Sequence, residues 1–280
     1  MSENAVSNKI YPSIKNAIIL CIIFLGLQLG IGVILGVIIG LLGIGTDSIL
    51  YGIGTIFANL ISFALVIFIG FKKSHKKFSE IFPLKKVPLR LWIAAIVFMF
   101  GLVIISSEID NIVSYLIPKP EFFQQIFGTI IDNQYIAVSI ILVGLMPAIC
   151  EEMMFRGVIL SGFKDNYSSK KAIIISALLF GIVHMNPWQF VTAFIFGIIG
   201  AWVCLKTESM LLCIYMHLFN NMTGVILSRL EDVVPIKGFN TTNLGHSFQP
   251  LWFDIAGIVL TGIGVLLFFN EIKKAKTVAQ

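Results

Sequence analysis

The stretch NAIILCIIFLGLQLGIGVILGVIIGLLGIGT, residues 16–46, lies between Lys15 and Asp47 and carries no charge. A membrane-crossing helix needs about 20 apolar residues at ~1.5 Å of rise each. The run exceeds that length, and it is far longer than the ~7–15-residue apolar core of a secretory signal peptide. It also lacks a small-residue cleavage pattern in a polar setting. It is therefore read as a retained first span, with lipid as its solvent. Composition extends this reading to the rest of the chain. Charged residues make up 12% of the 280 positions and apolar residues 57%, whereas soluble domains carry about 25% charged residues. No soluble core hides so much apolar surface, so residues 1–280 are read as a single membrane domain.

Seven further apolar runs follow. They cover residues 48–71, 91–110, 133–163, the two halves of 172–205, 210–230 and 251–270. The run after Lys171 is split because Asn186-Pro187-Trp188 is a turn signal; its first half is short, and its exit is compatible with a re-entrant bend. With the N-terminus inside, the inner segments hold Lys9, Lys15, the seven basic residues between Lys72 and Arg90, Lys164, Lys170, Lys171, Lys206, Lys273, Lys274 and Lys276. The outer loops hold only Lys119, Arg229 and Lys237. This asymmetry predicts an all-α polytopic membrane helical bundle of about eight transmembrane helices, with both termini cytoplasmic. The net charge of +5 then records topology and calls for no nucleic-acid partner. Cys21, Cys150, Cys204 and Cys213 lie in apolar runs without a CxxC pair and read as packing residues. Gly26, Gly30, Gly32, Gly36 and Gly40 form small-xxx-small patterns that predict close helix packing in the first span.

Ionisable groups in mid-bilayer cost on the order of 2.5–3.5 kcal/mol each even on lenient scales, so they mark functional candidates. Glu151, Glu152 and Arg156 lie in one span, His184 in a second, and His217, Asn220 and Asn221 in a third. Glu151 is thirteen residues from Lys164, His184 thirteen from Lys171, Asn221 thirteen from Glu208 and His217 nine from Glu208. These separations correspond to depths of roughly 14–20 Å, a single layer of the membrane. Glu152 and Arg156 share a helix face at i,i+4 and predict an internal ion pair. Glu151 points about 100° away, without that partner, and is a candidate general base. His217 and Asn221 also share a face, as hydrogen-bond donors to an oxyanion would. His184 is placed to polarise a water shared with Glu151.

Three motifs carry a family resemblance. Glu151-Glu152-Met-Met-Phe-Arg156 fits EExxxR, Phe180-Gly-Ile-Val-His184 fits FxxxH, and His217-Leu-Phe-Asn-Asn221 fits HxxxN. In this order, on separate apolar helices, they resemble the CPBP family of CAAX-processing type II endopeptidases and bacteriocin-processing proteins. The motif-bearing core covers about residues 136–230. The resemblance implies an eight-helix intramembrane protease that hydrolyses a peptide bond in a membrane-associated, prenylated or leader-bearing substrate. By that likeness Glu151 and His184 activate water, His217 and Asn221 form the oxyanion hole, and Glu152 with Arg156 holds the site together. The family is commonly grouped with metalloproteases, and Glu151, His184 and His217 would supply a His/His/Glu set for one divalent metal such as zinc. No HExxH helix is present, and a metal-free glutamate mechanism suits the same residues. The expected location is a cell membrane, foremost a prokaryotic plasma membrane.

Each residue also has a plainer reading. The Glu152–Arg156 pair stabilises helix contacts in many proteins, and His217 with Asn221 is compatible with interhelical hydrogen-bonding glue. Two competing functions follow: a non-catalytic peptide-binding or bacteriocin-immunity protein of the same family, and a proton-coupled transporter. Against the transporter, the sequence shows no inverted repeat of broken helices.

Overall fold

Apolar residues crowd the chain with few interruptions, so backbone groups must pair within each segment, and a helical bundle follows. A computed structural model describes residues 10–131, 134–231, 233–240 and 247–278. Its helices are α1 (Ile14–Leu41), α2 (Ile49–Ser74), the short α3 (Phe78–Ile81), α4 (Leu89–Leu116) and α5 (Glu121–Ile131). Then come α6 (Ile136–Asn166), α7 (Ser169–Ile182), α8 (Pro187–Thr207), α9 (Met210–Ser228) and α10 (Leu251–Val278). Among the described residues, seven helices are long and apolar enough to cross a membrane: α1, α2, α4, α6, α8, α9 and α10. The expected polytopic helical bundle is thus present.

The count differs by one from the eight runs of the sequence. The fifth run became α7, a 14-residue helix, about 21 Å long and short of a ~30 Å bilayer core. The chain nevertheless reverses after it. A Cβ on Gly181 would touch Phe190 and one on Gly197 would touch Ala177, so α7 and α8 run antiparallel. The turn is built from polar side chains. The Asn186 side chain caps α8 by accepting from the Gln189 amide at 2.8 Å, and Pro187 supplies a first helical residue that needs no donor. Met185, at φ 57°, bends the chain in the left-handed region between them.

The two ends of the bundle differ in charge. At one end Lys76 pairs with Asp165, Lys85 with Glu208, and Asn166 with the backbone of Ile10. This end gathers the start of α1, the end of α2, the start of α4 and the ends of α6 and α8. It therefore holds the lysines that the sequence assigns to the inner loops, save Lys9, which lies outside the described residues. At the other end the Trp188 indole donates to Ile117, and Arg229 to Ile131. The polarity of the positive-inside census and the polarity of the fold agree.

One packing expectation is overturned. Cβ atoms built on Gly26, Gly30, Gly32, Gly36 and Gly40 meet nothing within 4 Å, so the first span's small residues face open space. α1 sits at the edge of the bundle, with Leu29, Val33 and Leu41 exposed beside those glycines. Close approach occurs elsewhere. A Cβ on Gly101 would lie 2.3 Å from the Thr261 backbone, and one on Gly264 would lie 2.5 Å from Phe98 Cα. Small residues thus seat α10 antiparallel against α4. All four cysteines are free and buried, as packing residues are.

Candidate active site

α6 is the longest span and the least regular. It is π-helical over Ile140–Leu145 and Met153–Ile159, on either side of the α-helical Met146–Glu152 turn that carries both glutamates. Such widened turns recur at functional sites, because they swing neighbouring side chains and loosen backbone pairing. The helix lies between α2 and α9. The facing groups come from α9, whose start is capped by Ser209, and from the end of α7.

Glu152 is the joint between these helices. It is 0% exposed, Arg156 is 3% and His217 is 5%. Arg156 Nε lies 3.1 Å from Glu152 Oε2, as the i,i+4 spacing predicts. The contact is an ion pair without hydrogen-bond alignment, since neither atom has a hydrogen-bond partner. The other oxygen, Oε1, accepts from His217 Nδ1 at 2.9 Å across 65 residues of sequence. That bond fixes the ring and turns Nε2 toward Glu151, whose Oε2 is 3.9 Å away, too far for a hydrogen bond. Glu151 Oε2 is buried without a hydrogen-bond partner among the described residues. The two adjacent carboxylates therefore have different environments, one paired twice and one left bare.

His184 is held just as firmly. Its Nδ1 lies 2.8 Å from the Phe180 carbonyl, which only accepts, so Nδ1 carries the proton and Nε2 of the neutral ring is an acceptor. The Asn186 amide donates to the His184 carbonyl at 2.8 Å, tying the histidine to the turn that follows. On α9, Asn221 Nδ2 donates to the Val143 carbonyl at 2.9 Å, inside the first π-helical stretch of α6. Its Oδ1 accepts from Asn220 at 3.2 Å, which leaves one amide hydrogen of Asn221 uncommitted.

Two cavities meet at this cluster. One, of about 590 Å³, is lined by His184, His217, Asn220 and Asn221. The other, of about 240 Å³, is lined by Glu151, His184, Gln28 and Asn59. His184 borders both. The structure thus brings Glu151, Glu152, Arg156, His184, His217 and Asn221 into one cluster, split between two openings.

Among the described residues, no group of three or more His, Cys, Asp or Glu side chains is arranged to hold a metal ion. Glu151 Oε2 and His217 Nε2, 3.9 Å apart, are two donors that no third His, Cys, Asp or Glu side chain joins among the described residues. Two donors fall short of the three or more protein ligands of a zinc site, so the cluster does not fit that ion.

Phe180 was legible in FxxxH and packs beside the site, whereas Gln28, Asn59 and Gly200 escaped the sequence reading. The Phe180 ring packs under the Arg156 guanidinium at 4.5 Å and against His184 at 5.1 Å and His217 at 6.0 Å, so the aromatic of FxxxH supports three site groups. Gln28 and Asn59 are polar residues inside spans, and the depth argument that found the histidines would have found them too. Gly200 gives no sequence signal. A Cβ there would lie 2.6 Å from Arg156 Nη2 and 2.9 Å from Nε. The guanidinium is pinned by Glu152 and Phe180 and has little freedom to yield. Gly200→Ala is expected to cost about 1–3 kcal/mol, as overpacking does. A lowered melting temperature in detergent would show this, with a smaller loss when Arg156→Ala is already present. An unchanged melting temperature would mean that Arg156 has room to move.

The fold and cluster define a multi-pass helical membrane protein with a buried acid–histidine–amide site. Residues 133–223, the segment holding that site, match the model of the family described as "Type II CAAX prenyl endopeptidase Rce1-like". The likeness read from EExxxR, FxxxH and HxxxN is thereby shown over the motif-bearing segment. The chain is also similar to "Uncharacterized protein YyaK" of Bacillus subtilis, with 24% identity over 179 residues. That alignment covers 59% of this chain and 58% of YyaK. No solved structure matches.

Proposed function

We propose that the chain is an intramembrane endopeptidase that hydrolyses a peptide bond in a membrane-associated substrate without a metal. Glu151 takes a proton from a water that His184 Nε2 orients, and the resulting hydroxide adds to the scissile carbonyl carbon. The developing oxyanion accepts from the free amide hydrogen of Asn221 and from His217 Nε2 in its imidazolium form. Collapse breaks the C–N bond, and the proton held by Glu151 passes to the leaving amine. Glu152 and Arg156 touch no reacting atom; they position His217.

One observation carries this reading. A bare carboxylate oxygen is buried 3.9 Å from an imidazole nitrogen whose other ring nitrogen is anchored. Most buried carboxylate oxygens in folded proteins are paired, and this one belongs to a side chain on a cavity wall beside His184. The match to a protease family over residues 133–223 supports the reaction class. We place the protein in a prokaryotic plasma membrane, a reading favoured by its likeness to a Bacillus subtilis protein. The substrate is proposed to be a leader-bearing or lipid-modified peptide.

The test is cleavage by the detergent-purified protein of a quenched-fluorescence library of membrane-proximal peptides, prenylated CAAX forms included. Wild type is expected to cleave, with chelator present or absent, and His184→Ala is expected to abolish cleavage. No cleavage of any peptide by well-folded protein would discard the enzyme and leave a peptide-binding membrane protein.

A further inference from the structure

We infer that the site is reached from the face opposite the lysines, so that its substrate is a peptide segment presented on the extracytoplasmic side of the membrane. That a substrate enters there rests on the protease reading above; the direction of access rests on the packing and on the distribution of lysines.

The larger cavity, which reaches His184, His217 and Asn221 while Glu151 lines the smaller one beside His184, extends toward one end of the bundle. From His184, His217 and Asn221 it continues to Thr192 in the first half of α8 and to Ser228 at the end of α9. Its other walls are Ser107 and Asp110 on the second half of α4, then Lys119 and Asn240 beyond the helix ends. Every one of these positions lies toward the end where Trp188 meets Ile117 and Arg229 meets Ile131. The rim sets polar groups among apolar ones such as Ile131, Leu227 and Phe239. Lys119 pairs with Asp110 at 2.6 Å, and the carbonyl of Gly238 accepts from the Asn111 amide at 2.6 Å. A rim of this mixed chemistry suits a peptide, which brings a polar backbone and apolar side chains together.

The opposite direction is closed. Between the site and the lysine-rich end stand Phe155, Ile159 and Phe163 of α6, Met210 and Leu212 of α9, and Ile81 of α3, none more than 2% exposed. Below them the Lys85–Glu208 and Lys76–Asp165 pairs tie the helix ends together. Water coming from that end would have to part a close-packed apolar plug. By the positive-inside rule the plugged end is cytoplasmic and the open end is not. A soluble cytoplasmic C-terminal tail would meet the plug, whereas a segment already carried across the membrane meets the cavity.

Cysteine accessibility tests this without any need for catalysis. The probe is a membrane-impermeant maleimide applied to intact cells expressing the full chain, and to inverted vesicles from the same cells. The variants are Thr192→Cys within the cavity, Ser107→Cys near its mouth and Lys86→Cys as the reference for the lysine-rich face. The four native cysteines are buried, so wild type serves as the unlabelled control. Thr192→Cys and Ser107→Cys are expected to label in intact cells, and Lys86→Cys only in inverted vesicles. If Thr192→Cys and Ser107→Cys label only where Lys86→Cys does, or from neither face, the inference is overturned. Impermeant library peptides added to the two sealed preparations separate the two claims. Cleavage confined to intact cells supports both, and cleavage confined to inverted vesicles refutes outward access. Outward labelling with no cleavage from either side keeps the access route and discards the protease.

Discussion

Glu151→Gln is expected to lower the cleavage rate by about 10²–10⁴-fold, the usual contribution of a general base, while leaving the protein at least as stable as wild type. The two halves of this expectation have one cause. Among the described residues Glu151 Oε2 is buried with no hydrogen-bond partner, and His217 Nε2 lies 3.9 Å away. The folded state thus gives that oxygen no protein hydrogen bond for the substitution to break. Glutamine keeps the volume, removes the charge and cannot take a proton from water. Activity should therefore fall while the melting temperature holds or rises, the exchange expected where a site is kept unfavourable for the sake of chemistry. Initial rates on the peptide library and melting in detergent, measured on one preparation, check both. Undiminished cleavage by Glu151→Gln would remove it as the base, and a large drop in melting temperature would make it structural.

Arg156→Met is expected to act the other way, destabilising the protein by about 3–5 kcal/mol, as breaking a buried pair does. Glu152 is fully buried and would keep only the His217 hydrogen bond. The guanidinium also contributes through its planar shape, 4.5 Å from the Phe180 ring and 5.9 Å from the Phe196 ring. Arg156→Lys is accordingly expected to recover only part of the loss, since an ammonium neither stacks nor spans the same distance. Adding Glu152→Gln to Arg156→Met should restore much of the stability by removing the orphaned charge. It should not restore cleavage, because His217 would lose the carboxylate that turns its Nε2 toward Glu151. Chemical denaturation of the four proteins, read as a double-mutant cycle, measures the coupling. Additive losses would mean that the pair does not act as a unit.

Much of this was legible along the chain, because the cost of burying a charge in lipid is large and local. Residues 16–46 needed no knowledge of their neighbours to be read as a span. The three motifs fell at one depth because depth along a helix is simply residue count times rise. The same counting marked Glu152–Arg156, whose 3.1 Å contact lies within one helix. Counting failed where a run was apolar enough but too short for its task. The segment that became α7 is 14 residues long and ends at a turn held by Asn186, so it carries His184 to the site without crossing a bilayer core.

What the chain by itself determined was therefore the class of solvent, the alternation of direction, the lysine-rich end and the depth of each polar group. These follow from transfer free energies that add along a helix. Which groups meet at that depth was decided only by the tertiary structure. His217 belongs to Glu152 and not to Glu151; Gly200 makes room for Arg156; and the glycines of α1 face open space while Gly101 and Gly264 seat α10. The lateral placement of helices around the bundle depends on side-chain shape from several segments at once. In lipid no hydrophobic gradient between helices announces that placement in the sequence. The opening of the cavity away from the lysines is of the same kind, since it arises from where Phe155, Phe163 and Leu212 pack and where smaller polar residues leave space.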